Sequence, residues 1–300
     1  MRVTRGVGLL SFAVPFVAAV TCSFCLTSCE HSQILKPTPG LATIKNFLVT
    51  GMQPVGKTLY VWNGGWNDKG NGSGVDSRTI GVSQEWEKFF NKNGWEYDYN
   101  DHQDEYHHGL DCSGFVGWVI YNLFNTQSGG PGFVMHSTLM AETFANLGWG
   151  YLLNGKNYLE PGDIVTTTAP DNHVWISLGQ CDDGSVLILH SSVCTKHVVD
   201  TPEPIKEKYG GVYLCGTTTP SGSEKSDAVL LAHSYMKKYY PQFNKNALDN
   251  DAAYCRLWSD YIGDQSVKVF RWTLNSFISD PDKFANATPN DILKKIFKEN

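Results

Sequence analysis

Residues 110–124, Leu-Asp-Cys-Ser-Gly-Phe-Val-Gly-Trp-Val-Ile-Tyr-Asn-Leu-Phe, constrain the fold more than any other stretch of this chain. Asp111 is a good helix N-cap, and Phe115, Val116, Val119, Ile120, Leu123 and Phe124 recur behind it at helical spacing on one side. A helix this apolar must be buried against a second layer, and the later sequence supplies one. Residues 163–167, after the Pro161-Gly162 turn, and 173–178, 185–190 and 211–215 read as strands. Further helices are expected over 83–92, where Val82, Trp86, Phe89 and Phe90 share a face, and from a Ser137 cap through Met140, Phe144 and Leu147 to Gly148. Helices first and antiparallel strands second predict an α+β domain.

The Asp111 cap puts Cys112 at the first helical position, where the partial positive charge of the helix N-terminus favours thiolate over thiol. The same position also suits a plain core cysteine, three residues before Phe115. A nucleophilic thiol needs a base from elsewhere in the fold. His173 opens an otherwise apolar strand, although a lone histidine there also fits a purely structural role. His190 adds to the case. A hairpin turning at Asp182-Asp-Gly184 pairs residue 182 with 185, which places His190 opposite Ser177 and both histidines on the same side. In that register they lie four residues apart, about 13 Å along a strand. A longer loop or a bulge has to shift it if His190 is to orient His173.

Leu110-Asp-Cys-Ser-Gly-Phe-Val116, Pro161-Gly-Asp-Ile-Val165, His173-Val-Trp-Ile176 and the second histidine, in that order, resemble the NlpC/P60 cysteine peptidases, bacterial cell-wall hydrolases. Residues 56–65, with Tyr60, look like the family's first motif, a turn and short segment that carries a tyrosine beside the thiol. The resemblance covers about 41–218 and implies a papain-like core, a helix bearing the cysteine packed on an antiparallel sheet bearing the histidine. It implies that Cys112 attacks a peptide carbonyl, that His173 serves as base and then acid, and that His190 fixes the imidazole. The backbone N–H of Cys112 and the Tyr60 hydroxyl would hold the oxyanion, and Asp111 and Ser113 would meet the substrate amine, beside the capping role that already accounts for Asp111. The implied substrate is a peptidoglycan stem peptide, cut between D-glutamate and the diamino acid by a monomer without a cofactor. Two departures stand out. The interval from Tyr60 to Cys112 is longer than the family's, making 63–110 an insertion expected to shape the groove, and Asn63 interrupts the usual Trp-Gly-Gly. A catalytically silent wall-binding protein, and an amidase or acyltransferase on the same core, are the competing readings.

Residues 51–58, GMQPVGKT, match the P-loop pattern letter for letter, but a P-loop needs a strand before it and a helix after it. Here Ile44, Phe47, Leu48 and Met52 give helical spacing upstream, and 58–62 reads as a strand downstream, so a helix end and a turn are expected and no nucleotide. Arg2 and Arg5 followed by an apolar run over 7–20 have the layout of a secretory signal. Of the cysteines that follow, only Cys29, preceded by Leu26-Thr27-Ser28, fits a lipoprotein processing site, with an ordinary secreted protein as the alternative. The expected plan is therefore a signal over 1–28, a lipidated Cys29 with a tether to residue 40 that holds the protein at the membrane, the 41–218 domain, a linker near 217–223, and a mainly helical extension over 219–300.

Removing 1–28 takes away two arginines and no acid, moving the formal charge of −6 two units further negative, which offers nucleic acid no footing. Cys112, Cys181, Cys194, Cys215 and Cys255 remain; an odd number leaves at least one thiol unpaired, and the other four have three possible pairings or stay free. The run 101–108, Asp-His-Gln-Asp-Glu-Tyr-His-His, and the stretch from Asp68 to Asp76 carry ligand-like side chains, but both read as solvated loops and no metal is expected. Within the extension, a helix ending at Pro241, a short helix over 251–261, a strand over 266–273 and a last helix opened by Thr288-Pro289 are expected.

Overall fold

The computed structural model describes Met1 and residues 34–154, 158–194 and 208–299. Residues 2–28 of the expected signal, and Cys29 with its proposed lipid, lie outside the described residues.

Thr43 caps α1 (Ile44–Met52), its hydroxyl accepting the Asn46 N–H at 3.0 Å. The P-loop-like stretch is the end of α1 and the turns behind it, with Lys57 N–H donating to Pro54 O. α2 (Gln84–Lys92) and α3 (Cys112–Phe124) stand where periodicity placed them, and Asp111 caps α3. Ser137 opens a 3₁₀ turn, Ser137–Leu139, instead of capping; α4 (Met140–Asn146) follows and ends at Gly148, whose φ of +76° suits only glycine readily. The strands are β1 (Gly150–Leu152), β2 (Ile164–Thr167), β3 (His173–Gln180), β4 (Val186–Val193) and β5 (Gly210–Thr217).

Then come α5 (Asp227–Tyr239), α6 (Pro241–Asn246), β6 (Cys255–Arg256), β7 (Lys268–Trp272) and α7 (Pro289–Ile296), which Thr288 caps as expected. Pro241 does not only stop a helix but begins the next one, because its fixed φ and missing N–H fit the first helical position. The expected helix over 251–261 is a 3₁₀ turn, β6 and a single π turn, Ser259–Gly263. The expected strand over 58–62 is reduced to two bridges, Leu59 with Gly211 and Tyr60 with Leu110.

The seven strands form one mixed sheet in the order β1-β7-β2-β3-β4-β5-β6, antiparallel throughout except between β5 and β6. The α+β expectation holds at this level. Residues beyond 219 do more than extend the domain with helices: β7 enters the sheet between β1 and β2, and β6 borders β5. An ion pair secures the join. Arg271 in β7 grips Asp163 through two nitrogens at 2.9 and 2.7 Å and Glu160 at 2.7 Å, so the Pro-Gly-Asp turn before β2 is held from the far end of the chain.

Residues 34–40, expected to be part of a tether, are laid along the body instead. Leu35 N–H donates to Ile296 O at 2.9 Å, Thr38 N–H to Asn46 Oδ1 at 2.7 Å and Gly40 N–H to Asn122 O at 3.0 Å.

Candidate active site

α3 is sealed from Phe115 to Leu123, so its first turn is where chemistry can reach the surface: Cys112 keeps 9% of its area open. Asp111 Oδ1 accepts the Gly114 N–H at 2.6 Å and the Ser113 hydroxyl at 2.8 Å, and Trp66 Nε1 donates to Ser113 Oγ at 2.9 Å. This turn packs backbone to backbone on 64–65. Asp111 N–H donates to Gly64 O at 3.0 Å, and a Cβ on Gly114 would stand 2.0 Å from that oxygen, which is why the motif needs glycine there. Asn63 takes φ +63°, a left-handed conformation that asparagine tolerates.

The bridge between Tyr60 and Leu110 sets the tyrosine beside this turn. Ser191, the residue after His190, holds the Leu110 carbonyl with its hydroxyl at 2.6 Å, tying β4 to the start of α3. Tyr97 Oη donates to Tyr60 O at 2.5 Å, and Tyr99 packs edge-on against the Tyr60 ring, so the 63–110 insertion braces the tyrosine. Burial first, then the nearby Cys112 and Asp111, hold the Tyr60 hydroxyl far above the usual phenol range, leaving it a donor.

The two histidines meet because the hairpin slips. Gly184, at φ +82°, donates its N–H to Cys181 O and closes the turn, and a bulge between Ser177 and Gly179 shifts the register again, with Gly179 at φ +107°. The ladder then pairs Ile176 with Leu189, which continues to Trp175 opposite His190 in place of Ser177. His173 lies two residues further along the same face, and its Nε2 stands 3.0 Å from His190 Nδ1. His190 is fully buried, directly opposite Tyr213, whose ring is 4.7 Å away, and its Nε2 lies 3.3 Å from Cys215 Sγ.

Cys112 lies near the backbone of Val174, the residue after His173. The expected preference for thiolate is not met. Burial, and then the Asp111 carboxylate, push Cys112 up to about 12; the N–H groups of Val174, Ser113 and Cys112 itself offset only part of this. Burial likewise lifts Asp111 to about 6 against its own hydrogen bonds. Burial, with the Arg256 guanidinium behind it, holds His173 down to about 3 and His190 well below the ordinary imidazole value. At neutral pH the resting pair is thiol and imidazole, and a proton must move as the sulfur attacks.

Three contributors escaped the sequence reading. Arg256 is buried, donates to Val193 O at 3.0 Å, to Cys255 O at 2.7 Å and to the Tyr213 hydroxyl, and stacks its charge on the Tyr213 ring. Tyr261, from the π turn, covers the histidines with its ring 5.6 Å from His173 and 6.3 Å from His190. Cys215 is the third. Both Arg256 and Tyr261 lie beyond the expected linker, and no local pattern marks them.

All five cysteines from Cys112 onward are free thiols. The histidines of 101–108 are occupied in pairs and stacks: His107 Nδ1 contacts Asp76 at 2.5 Å, His108 contacts Glu105 at 3.1 Å, and His102 stacks on Tyr97. Among the described residues no cluster of His, Cys, Asp and Glu could hold a metal ion, and no helix is long and apolar enough to cross a membrane. Compared with known protein families, curated proteins and solved structures, the chain matches none.

Proposed function

We propose that the chain is a cysteine peptidase of the NlpC/P60 type with a papain-like core, acting outside the cytoplasm on peptidoglycan stem peptides at the bond between D-glutamate and the diamino acid. The observation that carries this reading is the 3.0 Å contact between His173 Nε2 and His190 Nδ1 beside a helix-N-terminal cysteine. With Nε2 engaged, His173 Nδ1 is the nitrogen left to take the Cys112 proton.

Cys112 Sγ attacks the carbonyl carbon while its proton passes to His173 Nδ1. The oxyanion is received by the Cys112 N–H, with the Tyr60 hydroxyl as second donor. His173 returns the proton to the leaving amine, and water, deprotonated by the same nitrogen, hydrolyses the thioester. Asp111 and Ser113, hydrogen-bonded to each other at 2.8 Å, offer acceptors to a substrate ammonium. Lipidation at Cys29 would place the anchor five residues before Ile34, where the docked chain begins, within roughly 15–20 Å of it. That suits an enzyme working close to the membrane face.

The test is mass spectrometry of muropeptides incubated with residues 30–300, wild type beside Cys112→Ala. Cleavage by the wild type alone identifies the bond by fragment mass. Intact muropeptides with both proteins, under reducing conditions across neutral pH, would overturn the proposal in favour of another acyl substrate or of a silent wall binder.

A further inference from the structure

We propose that Cys215 is a positioning residue for the base: its sulfur accepts the Nε2–H of His190 and so selects the tautomer of His190 and, through it, that of His173. This rests on the cysteine peptidase reading above.

The two rings and the sulfur form one chain, His173 Nε2 to His190 Nδ1 at 3.0 Å and His190 Nε2 to Cys215 Sγ at 3.3 Å. With both imidazoles neutral, the protons in such a chain have two arrangements. When the sulfur accepts, His190 Nδ1 is bare, takes the Nε2–H of His173, and leaves His173 Nδ1 bare and able to accept the thiol proton. When the Cys215 S–H donates, every proton moves one place and His173 carries Nδ1–H, which cannot act as a base toward Cys112. The reacting state is even more selective. Once His173 holds two protons, its Nε2–H needs a bare His190 Nδ1, so the Nε2–H of His190 needs an acceptor.

His190 is fully buried, and a buried N–H without a partner is costly. Cys215 is the acceptor placed for it. The groups facing His190 are His173 from β3, Tyr213 and Cys215 from β5, Arg256 from β6 and Tyr261 from the π turn. Among them Arg256 is the fixed positive charge. It disfavours a second proton on either ring, so at rest each imidazole carries one.

The test is ¹⁵N NMR of the histidine side chains in Cys112→Ala, which reports bare and protonated ring nitrogens without turnover. Alongside it, the alkylation rate of Cys112 by iodoacetamide at pH 7 is followed by peptide mass spectrometry in the chain with Cys112 intact. The expected pattern is Nε2–H on His190 and bare Nδ1 on His173. Cys215→Ala should reverse it and slow alkylation about tenfold, the effect of one lost hydrogen bond, while Cys215→Ser, which keeps an acceptor, should restore both. A bare Nε2 on His190 in otherwise wild-type protein overturns the proposal. So do unchanged tautomers and alkylation in folded Cys215→Ala. If that variant does not fold, the tautomers of the parent protein decide. Neither readout uses a peptide substrate, so a failure here is distinguishable from a failure of the peptidase reading.

Discussion

Asp111 does two things that pull against each other. It caps α3 through the 2.6 Å bond from Gly114, and its charge opposes thiolate formation at the next residue. The two effects separate by substitution. Asp111→Ala should cost about 1 kcal/mol of stability through the lost cap, read by denaturant titration. Asp111→Asn keeps a capping oxygen and removes the charge, so the Cys112 thiol should titrate lower and alkylate faster than wild type at pH 8; an unchanged rate would show that the carboxylate does not act on the thiol. In the wild type, with Cys112 near 12 and His173 near 3, the alkylation rate should climb steadily with pH up to 9. A plateau setting in near pH 5 would mean a resting thiolate–imidazolium pair. Cys112, His173 and His190 were legible as candidates because residue type and order single them out. Cys215 was not, since a cysteine inside an apolar strand looks the same whether it packs or accepts a hydrogen bond.

The hairpin of β3 and β4 was legible as two strands and a turn, and even as a problem, because the simplest register keeps the histidines apart. The structure resolves it with a glycine turn and a bulge, neither of which alternation reveals, since alternation fixes the face of a residue and not its partner. Gly179 carries the bulge at φ +107°, and a Cβ there would meet Pro161 Cγ at 3.1 Å. Gly179→Val should therefore destabilise the protein by about 1–3 kcal/mol and remove the contact between His173 and His190 without touching either ring. The measurement is a thermal melt together with the histidine ¹⁵N spectrum. Retention of the wild-type spectrum in a folded Gly179→Val protein would show that the bulge does not set the pair.

The segment from 219 to 300 was read as an extension, and the molecule uses it as interior. Local periodicity identified the strand near 266–273 but says nothing of which strands it joins, and β7 joins β1 to β2. Asp163 is only 2% exposed, so Arg271→Ala leaves a buried carboxylate unpaired and should cost about 3–5 kcal/mol by denaturant titration. Acid should weaken the whole fold through the histidines. His173 titrates near 3 in the folded state against 6.5 when free, so its contribution is complete above pH 6.5 and is lost as pH falls through that window, by up to about 1.4 kcal/mol per pH unit. Asp111, raised to about 6 from 3.8, works the opposite way over part of it. His173→Gln should flatten the decline between pH 6.5 and 4; an equally steep decline would place the acid sensitivity elsewhere.

The position of β7 also sets a clock. Every residue assigned to the proposed chemistry has been made once position 190 is added, yet one edge of β2 stays unpaired until residues 268–272 follow, and Arg256 and Tyr261 arrive only shortly before. Pairing across such a sequence separation is slow to form. A chain interrupted between residues 190 and 268 would carry all the proposed reacting groups without the strand that completes their sheet, so the proposed activity would report that synthesis has passed β7.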